Sequence, residues 1–316
     1  MTAPAYRIVV AEPTPEGRAA FARIALPYLA KREALNNLLL GVVDGVARGR
    51  FGADAVMVTA EDAYGDLAAL LLRVPPNPLL VAAGCRGDAR EALLAWLVEH
   101  DPDLPGMVGP LAEAAGAARW WEAHTGRRLE LRMHQGVYRL RAVTSARRAA
   151  GRARLAEERD RERVTAWLGA FEEEALGGRV SDPAELWASF TGGGARRLHV
   201  WEDERGEVVS LAGRAGRTPT GARIAPVYTP PALRGRGYAE ALVAAATQRE
   251  LDDGARQCFL YTDLDNGTSN ALYERVGYVR IGEAGEFRVV ETGAGDTGAV
   301  DTGAVGDASA ADRVER

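Results

Sequence analysis

Hydrophobic and polar residues follow two periods along the chain, and the same succession of periods occurs twice. Alternation with period two predicts strands, and apolar residues spaced three and four apart predict amphipathic helices. Both halves open with a helical region, over 15–49 and 160–176. In the first half there follow a hairpin, a short strand, a helix, a strand, a helix and terminal strands: 55–62 with 65–74, 77–84, 87–100, 106–110, 111–126 and 130–143. In the second half there follow a hairpin, a strand, a helix, a strand, a helix and a terminal strand region: 196–217, 222–229, 238–254, 257–264, 266–277 and 278–290.

Two segments break this periodicity and divide the chain. Residues 142–153 are basic and poor in large apolar side chains, which is typical of a linker between domains. From Thr292 the sequence repeats five-residue units of small residues with acidic punctuation, so we expect 292–316 to be a disordered acidic tail. The resulting division is a first domain over 1–141, the linker and a second domain over 154–291.

Local identities support a diverged tandem repeat. Trp121-Glu122 with Gly126 in the first half corresponds to Tyr273-Glu274 with Gly277 in the second, one residue out of step. The predicted fold is α/β, with two similar domains. The alternative is that two unrelated α/β halves share common local patterns.

Charge and composition exclude several classes of function. The chain has 316 residues and a net charge of −5, an acidic balance that disfavours a nucleic-acid-binding protein. The tail holds five acidic residues and two arginines, a net of −3, so the rest of the chain carries about −2. Cys85 and Cys258 are too few for a disulfide scaffold or a cysteine zinc site, and the four histidines lack metal-binding spacing, so no metal is expected. The sequence has neither an apolar run of 18 residues nor a signal peptide, which favours a cytoplasmic protein without membrane contact.

The segment with the clearest chemistry is a glycine-rich turn between a strand and a helix. The turn reads Leu-Arg-Gly-Arg-Gly-Tyr-Ala over 233–239, and an alanine-rich helix follows directly. Glycines let the backbone approach a ligand, and the first amides of a helix have no partner within it, so this arrangement suits a phosphate. The turn is neither a Walker loop nor a dinucleotide fingerprint. Alone, it could equally be a solvated loop.

A second motif removes most of that ambiguity. The segment 266–278 places Asn266, Ser269, Tyr273, Gly277 and Tyr278 at the spacing Asn-x-x-Ser-x-x-x-Tyr-x-x-x-Gly-Tyr. Together with the Arg-Gly-Arg-Gly-Tyr-Ala turn at 234–239, it resembles the GCN5-related N-acetyltransferase (GNAT) family. The close resemblance covers about 222–290, and the first half fits in element order only. The resemblance implies tandem GNAT-like domains, each with a mixed, mostly antiparallel central sheet flanked by helices.

The resemblance also implies acetyl-CoA or another acyl-CoA as the donor, held by the strand end, the turn and the second motif. These positions are Val227, Tyr228, Thr229, Arg234, Gly235, Arg236, Gly237, Tyr238, Ala239, Asn266, Ser269 and Tyr273. In the family, the turn amides hold the pyrophosphate, the strand pairs with the pantetheine arm, and the thioester enters a gap beside the next strand.

Proton transfer needs an acid and a base. Tyr273 matches the family position of the general acid that protonates the departing thiolate; its alternative role is a half-buried packing aromatic. Asn266 could bind near the pantetheine, cap its helix, or both. Asp263 is the preferred base. The alternatives are Asp265, Glu202, Glu204 and a water held by several residues. Tyr228 could line the acceptor side or pack against the sheet.

The first half departs from the pattern, because its turn reads Gly-Cys-Arg-Gly-Asp-Ala over 84–89. This turn lacks the spacing between a basic residue and the glycines that the second half has at 234–239. Asp88 would also repel a pyrophosphate. Trp121 stands in place of the tyrosine, and its indole is no useful acid. We therefore expect a degenerate domain without a CoA site that packs on the second half and walls the acceptor pocket.

These observations predict an acyl-CoA-dependent N-acyltransferase that acetylates a primary amine, with a small molecule preferred as acceptor. Two alternatives stay open: a catalytically silent CoA-binding sensor or scaffold, and a protein acetyltransferase acting on lysine or an N-terminus. RNA binding through arginine-glycine segments is disfavoured by the acidic charge. A monomer and a homodimer are both compatible with the sequence.

Overall fold

The computed structural model describes five stretches of the chain: 6–51, 54–145, 149–176, 182–192 and 194–290. The predicted tail at 292–316 lies outside these residues, as do residues 146–148 of the predicted linker.

The described residues form twelve strands and eight α-helices, in two successive sets. The first set is β1 (Arg7–Ala11), α1 (Pro15–Ala30), α2 (Asn37–Ala47), β2 (Val56–Glu61), β3 (Leu67–Arg73), β4 (Leu79–Val81), α3 (Gly87–His100), β5 (Gly106–Pro110), α4 (Leu111–Thr125) and β6 (Leu129–Leu140). The second set is β7 (Arg152–Leu155), α5 (Arg161–Leu176), α6 (Pro183–Thr191), β8 (Arg197–Glu202), β9 (Val208–Arg217), β10 (Gly221–Tyr228), α7 (Tyr238–Asp252), β11 (Gln257–Asp263), α8 (Gly267–Val276) and β12 (Val279–Val289).

The two sets have the same order of strands and helices over all ten elements, which confirms the tandem repeat. Equivalent helices also end in the same way. Gly126 after α4 and Gly277 after α8 both adopt left-handed backbone conformations, with φ of 72° and 112°. A glycine in this conformation ends a helix at no steric cost, so the aligned glycines mark equivalent helix ends.

Several local expectations differ from the structure. The terminal strands predicted over 130–143 are a single long strand, β6. Arg152 and Ala153, assigned to the linker, already belong to β7. The edge strand β1 and the helix α6 were not predicted; both are short, and β1 is largely exposed.

All twelve strands form one continuous sheet, in the order β1-β2-β3-β4-β5-β12-β6-β11-β10-β9-β8-β7. Neighbouring strands are antiparallel except for β4 with β5 and β10 with β11. Each half therefore contributes a five-strand block that contains one parallel pair, and the last strands of the two halves lie between the blocks.

Those last strands are exchanged. β12 pairs with β5 of the first half from Ala284↔Pro110 to Arg288↔Gly106, and β6 pairs with β11 of the second half from Cys258↔Leu140 to Asp263↔Gln135. β6 and β12 also pair with each other along most of their length. Each half thus completes its sheet with a strand from the other half.

The hydrophobic core follows this exchange. Tyr138 and Leu140 of β6 are buried in the same cluster as Val243 of α7 and Tyr273 of α8. Phe287 of β12 packs against the first-half cluster that surrounds Trp121. Burial of apolar side chains is the main favourable term in folding, so the exchanged strands carry core residues that the opposite half needs.

A partly buried contact also joins the first half to the turn between β9 and β10 of the second half. The Glu33 carboxylate, between α1 and α2, accepts hydrogen bonds from the Thr218 hydroxyl (2.5 Å) and from the Thr220 amide (2.7 Å) and hydroxyl (2.6 Å). Gln257 donates to the same carboxylate at 3.3 Å. Hydrogen bonds to a charged group are among the stronger ones in proteins, so Glu33 locks the turn between β9 and β10 to the first half.

Across the described part of the chain, no helix combines the length and apolar character that crossing a bilayer requires.

The exchange predicts that neither half folds alone. A fragment of residues 1–145 would expose both long edges of β6, and a fragment of residues 146–290 would lack the strand between β11 and β12. Unpaired strand edges promote aggregation. We expect each fragment to be insoluble or unfolded by circular dichroism, and co-expression to yield a soluble complex. A monomeric 1–145 fragment with cooperative thermal unfolding would contradict this prediction.

Candidate acetyl-CoA and acceptor site

The parallel strands β10 and β11 separate along their length. They pair only at Gly221↔Gln257, Ala222↔Cys258 and Arg223↔Phe259. Beyond these pairs, β10 stays with β9 on its outer side, through Val227↔Ala212 and Tyr228↔Leu211. β11 stays with β6 on its own outer side, up to Asp263. The facing edges of the two strands are therefore free of strand pairing, and they form a wedge that opens toward the carboxyl end of β10.

Register shifts in β10 contribute to this separation. The pairing with β9 is irregular between Arg223 and Ile224 and again between Ile224 and Val227. Pro226 lies in this stretch and has no N–H to donate. An irregular strand of this kind bends away from its neighbour, which leaves backbone groups available for a ligand.

The glycine turn lies directly beyond the open end of β10. Gly235 and Gly237 have φ of 77° and 83°, so both use the left-handed conformation that favours glycine. No heavy atom lies within 4 Å of the position that a Cβ on Gly235 would take. Gly237 is the N-cap of α7 and provides no side-chain cap. Among the described residues, the amides of Gly235, Arg236 and Gly237 donate to no backbone or side-chain acceptor.

The two arginines of the turn have different roles. The Arg234 guanidinium donates to the Thr229 carbonyl at 2.8 Å and to the Glu174 carboxylate of α5 at 2.7 Å. It therefore holds the turn against β10 and α5. Arg236 is exposed, and its one hydrogen bond, to the Ala232 carbonyl, is long at 3.4 Å. Arg236 is the turn arginine whose charge is available to an anion.

The end of β10 is packed and ordered on the side of α5. Tyr228 is only 8% exposed, and its ring lies 6.4 Å from that of Trp167, centroid to centroid. The Thr229 hydroxyl lies 2.8 Å from that of Ser210, which also donates to the Tyr228 carbonyl. Tyr228 thus packs against α5, and the end of β10 is held on the side of β9 and α5.

The second motif starts at the carboxyl end of β11. The Asn266 side chain accepts from the Ser269 amide at 3.0 Å and caps α8. On the same helix, Arg275 makes two hydrogen bonds, of 3.0 and 2.8 Å, to buried Glu240 in the first turn of α7. This ion pair fixes α8 relative to the glycine turn.

Tyr273 of α8 is buried and belongs to the cluster that contains Ile224 of β10 and Leu260 of β11, one residue from each edge of the wedge. Its ring meets that of Tyr278 edge to face, with centroids 6.1 Å apart. Burial raises the pKa of Tyr273 to about 12. Its hydroxyl makes no hydrogen bond to any described residue, so the proton is not committed elsewhere.

The carboxylates considered as bases differ in availability. Asp263 ends β11, and its Oδ1 accepts from the Asp265 amide at 2.9 Å, which orients the side chain at the carboxyl end of the wedge. Glu202 binds Arg152 and Arg154, and these hydrogen bonds hold its pKa below the usual value. Glu202 is thereby a weaker base than an unpaired carboxylate. Glu204 is exposed on the β8–β9 turn.

In the first half, the backbone just beyond the equivalent strand, β4, is already occupied by side chains. Asn36 pairs with both backbone groups of Ala83: its Oδ1 accepts from the amide at 2.8 Å, and its Nδ2 donates to the carbonyl at 3.2 Å. The Tyr28 hydroxyl donates to the Gly84 carbonyl at 2.8 Å. At the start of α3, Asp88 accepts from the Ala89 amide and from the Tyr6 hydroxyl. A carboxylate thus already lies at the helix start where the second half has free amides.

The arrangement in the second half can hold a phosphate at the start of α7, pair an amide-bearing chain along β10, and supply a protonated phenol from α8. Among the described residues, no group of three or more His, Cys, Asp and Glu side chains could hold a metal ion. Three contacts could not be predicted from the sequence, because each joins distant segments. They are the ion pair of Arg234 with Glu174, that of Arg275 with Glu240, and the hydrogen bonds of Asn36 with Ala83.

Comparison with known proteins agrees with this geometry. The sequence model of the Acetyltransferase (GNAT) family matches residues 153–278. A search of curated proteins found no match.

Solved structures of GNAT proteins share the fold of almost the whole chain. A GCN5-related N-acetyltransferase from Sphaerobacter thermophilus superposes with a TM-score of 0.60 at 22% identity, over 91% of this chain and 96% of that one. A GNAT-family acetyltransferase from Colwellia psychrerythraea has a TM-score of 0.53 at 12% identity, over 90% and 100%. A tandem GNAT protein from the clavulanic acid biosynthesis pathway has a TM-score of 0.53 at 14% identity, over 92% and 100%.

Residues 153–278 therefore match the sequence model of the Acetyltransferase (GNAT) family, within a chain whose fold is similar to that of a tandem GNAT protein.

Proposed function

We propose that the protein is an acyl-CoA-dependent N-acyltransferase that moves an acetyl group from acetyl-CoA to a primary amine of a small molecule. The observation that carries this proposal is the wedge between β10 and β11, which opens directly onto the unpartnered amides of Gly235, Arg236 and Gly237. The GNAT fold supports acyl transfer from acyl-CoA in general. The amine, the proton donor and the direct attack are our proposal.

The residues of the second half fit the donor in three places. The free amides and the positive end of the α7 dipole suit the pyrophosphate, with Arg236 adding charge. The free edge of β10 at Val227 suits an amide of the pantetheine arm, and the Thr229 carbonyl just beyond it is held by Arg234. Tyr238 and Ala239 begin α7, and Asn266 and Ser269 fix the opposite wall at the start of α8.

When bound, the donor supplies an activated thioester carbonyl. The amine nitrogen forms a bond to that carbonyl carbon, the carbon–sulfur bond breaks, and its electron pair stays on the sulfur. Tyr273 then donates its hydroxyl proton to the sulfur and regains one from solvent. The nitrogen loses its proton to the Asp263 carboxylate, which passes it to solvent, so both protons are accounted for.

A small acceptor follows from what covers the wedge. Helix α2 of the first half packs on the sheet face opposite α7 and α8: a Cβ on Gly216 of β9 would lie 3.6 Å from the Cα of Gly41. Asn37 at the start of α2 donates to the Tyr261 hydroxyl of β11 at 3.1 Å. A folded protein substrate would have to displace this helix. We propose that the first half encloses the acceptor and, with Asn36 and Asp88 occupying its own strand and helix start, binds no CoA.

Substitution at the glycine turn tests donor binding. Gly235→Ala places a Cβ in the proposed phosphate position and strains a backbone at φ 77°. We expect the Kd for acetyl-CoA, measured by calorimetry, to rise at least about tenfold, equivalent to about 1.4 kcal/mol. Gly254→Ala is the matched control, because Gly254 has φ of 95° and open surroundings but follows the far end of α7. Equal affinities for the two variants would contradict the assignment.

Removal of the phenol tests the proton donor. Tyr273→Phe keeps the packing and removes the proton, so we expect kcat to fall about 100-fold or more with the Kd for acetyl-CoA unchanged. Because burial raises the pKa of Tyr273 to about 12, the hydroxyl stays protonated well into alkaline solution. The wild-type kcat should therefore not decline on the alkaline side up to about pH 10, because the Tyr273 hydroxyl loses its proton only as the pH approaches its pKa.

The same measurements separate the enzyme from a CoA-binding sensor. A sensor would bind acetyl-CoA through the turn yet release no free CoA thiol with any amine, and Tyr273→Phe would leave its behaviour unchanged. Retention of full turnover by the Tyr273→Phe variant would instead rule out Tyr273 as the acid.

A further inference from the structure

Three arginines from separate segments converge on the sheet face that α2 covers. Arg223 is the last residue of β10 that pairs with β11, so it lies at the narrow end of the wedge. Arg196 immediately precedes β8, and its guanidinium stacks 3.7 Å above the Phe190 ring. Arg50 of the first half follows α2, and its guanidinium lies against Gly45. The pairs Arg197↔Arg214 and Arg223↔Gly216 place Arg196 and Arg223 on either side of β9, about two strand spacings (roughly 10 Å) apart. The charges of Arg223 and Arg50 both act on Arg196.

The contacts of α2 place this cluster beside the wedge. Gly41 of α2 lies against Gly216, which pairs directly with Arg223. Asn37, one helical turn earlier, reaches Tyr261 on the free edge of β11. The Arg223 side chain therefore lies on the face of the sheet where the acceptor would enter, opposite α7 and α8.

None of the three guanidinium groups makes an ion pair with a described carboxylate. Other arginines of the second half do: Arg214 binds Glu250 at 2.9 Å, and Arg154 binds Asp160 at 2.6 Å. In the cluster, Arg196 donates to the Ser189 hydroxyl at 2.9 Å. The Nε atoms of Arg196 and Arg223 are both buried without a hydrogen-bond acceptor.

Leaving these charges unpaired is unfavourable. Burial, with repulsion from Arg223 and Arg50, lowers the pKa of Arg196 to about 9. Burial also lowers the pKa of Arg223. Tyr261, the neighbour that favours the charged form of Arg223, has its pKa raised to about 12 by burial, so it stays neutral and supplies no anion. Buried donors and neighbouring like charges are stabilised when a ligand anion accepts hydrogen bonds from them.

We infer that Arg196 and Arg223, with Arg50 from the first half, bind an anionic group of the acceptor, so the substrate is a small amine that carries a carboxylate or a phosphate. This inference rests on the proposed acyl transfer.

Chemical modification of arginine tests the site without requiring turnover. The full-length protein is treated with phenylglyoxal, which reacts with the neutral guanidine, and modified peptides are quantified by mass spectrometry. Exposed Arg48, which is ion-paired with Asp44, is the reference arginine, and we expect buried Arg214, which is paired with Glu250, to stay unmodified. Inorganic phosphate or succinate should slow modification of Arg196 and Arg223 at least about tenfold, and neutral succinamide should not.

The added anions distinguish the possible acceptors. Protection by phosphate alone assigns a phosphate-bearing amine, and protection by succinate alone assigns a carboxylate-bearing amine. Protection by both supports an anion site that accepts either group. Absence of protection by either anion, equal protection of Arg48, or failure of Arg196 and Arg223 to react would overturn the inference.

A turnover experiment then separates this inference from the proposed function. Release of CoA thiol is measured for paired amines, each with and without its charged group: glycine and glycinamide, β-alanine and β-alaninamide, 2-aminoethyl phosphate and ethanolamine. The charged members should be preferred, and Arg50→Gln should raise their KM about tenfold, equivalent to about 1.4 kcal/mol, with the Kd for acetyl-CoA unchanged. Arg48→Gln is the matched control in the same segment. Equal use of charged and neutral amines would overturn only the anion site, whereas failure to bind acetyl-CoA would overturn the proposed function itself.

Discussion

Strand β12 has both of its edges paired, with β5 on one side and β6 on the other, and this double pairing governs the rest of the molecule. The register of a strand that is paired at both edges is fixed. A shift by one residue would move its apolar side chains to the opposite face of the sheet. β6 is held in the same way between β12 and β11. The relative position of the halves is thereby set by backbone hydrogen bonds, and the Glu33 contact and the packing of α2 depend on it.

The wedge at the candidate site is a consequence of the same pairing. β11 can leave β10 because β6, supplied by the first half, pairs with its opposite edge as far as Asp263. β10 is held on its outer side by β9, and α7 is fixed against β9 by the buried Arg214–Glu250 pair at 2.9 Å. The first half therefore has a direct structural part in forming the opening, even though its own equivalent strand is blocked by Asn36.

Local sequence was a sound guide wherever one segment determines its own conformation. Most helices and strands followed from apolar periodicity, and the glycine turn before α7 and the Asn266 cap of α8 are where the motifs predicted them. The exchange of β6 and β12 could not be predicted, because pairing between strands 150 residues apart leaves no local signal.

The arginine cluster was also missed. Arg223 in an otherwise apolar strand was a visible irregularity, but its neighbours come from α2 and from the segment before β8. A buried charge can be interpreted only when its surroundings are known.

The occupation of Ala83 by Asn36 bears on how a repeated domain loses a ligand. The amide side chain offers one acceptor and one donor to the strand, which is the same pairing that a pantetheine amide would offer. In the first half, an internal side chain thus makes the pairing that we propose the donor makes in the second half. A domain whose own side chains pair its backbone at this position needs no ligand there, and it can enclose the pocket of the neighbouring domain. Transplanting the glycine turn into the first half would restore a phosphate cradle in front of a strand that is already paired.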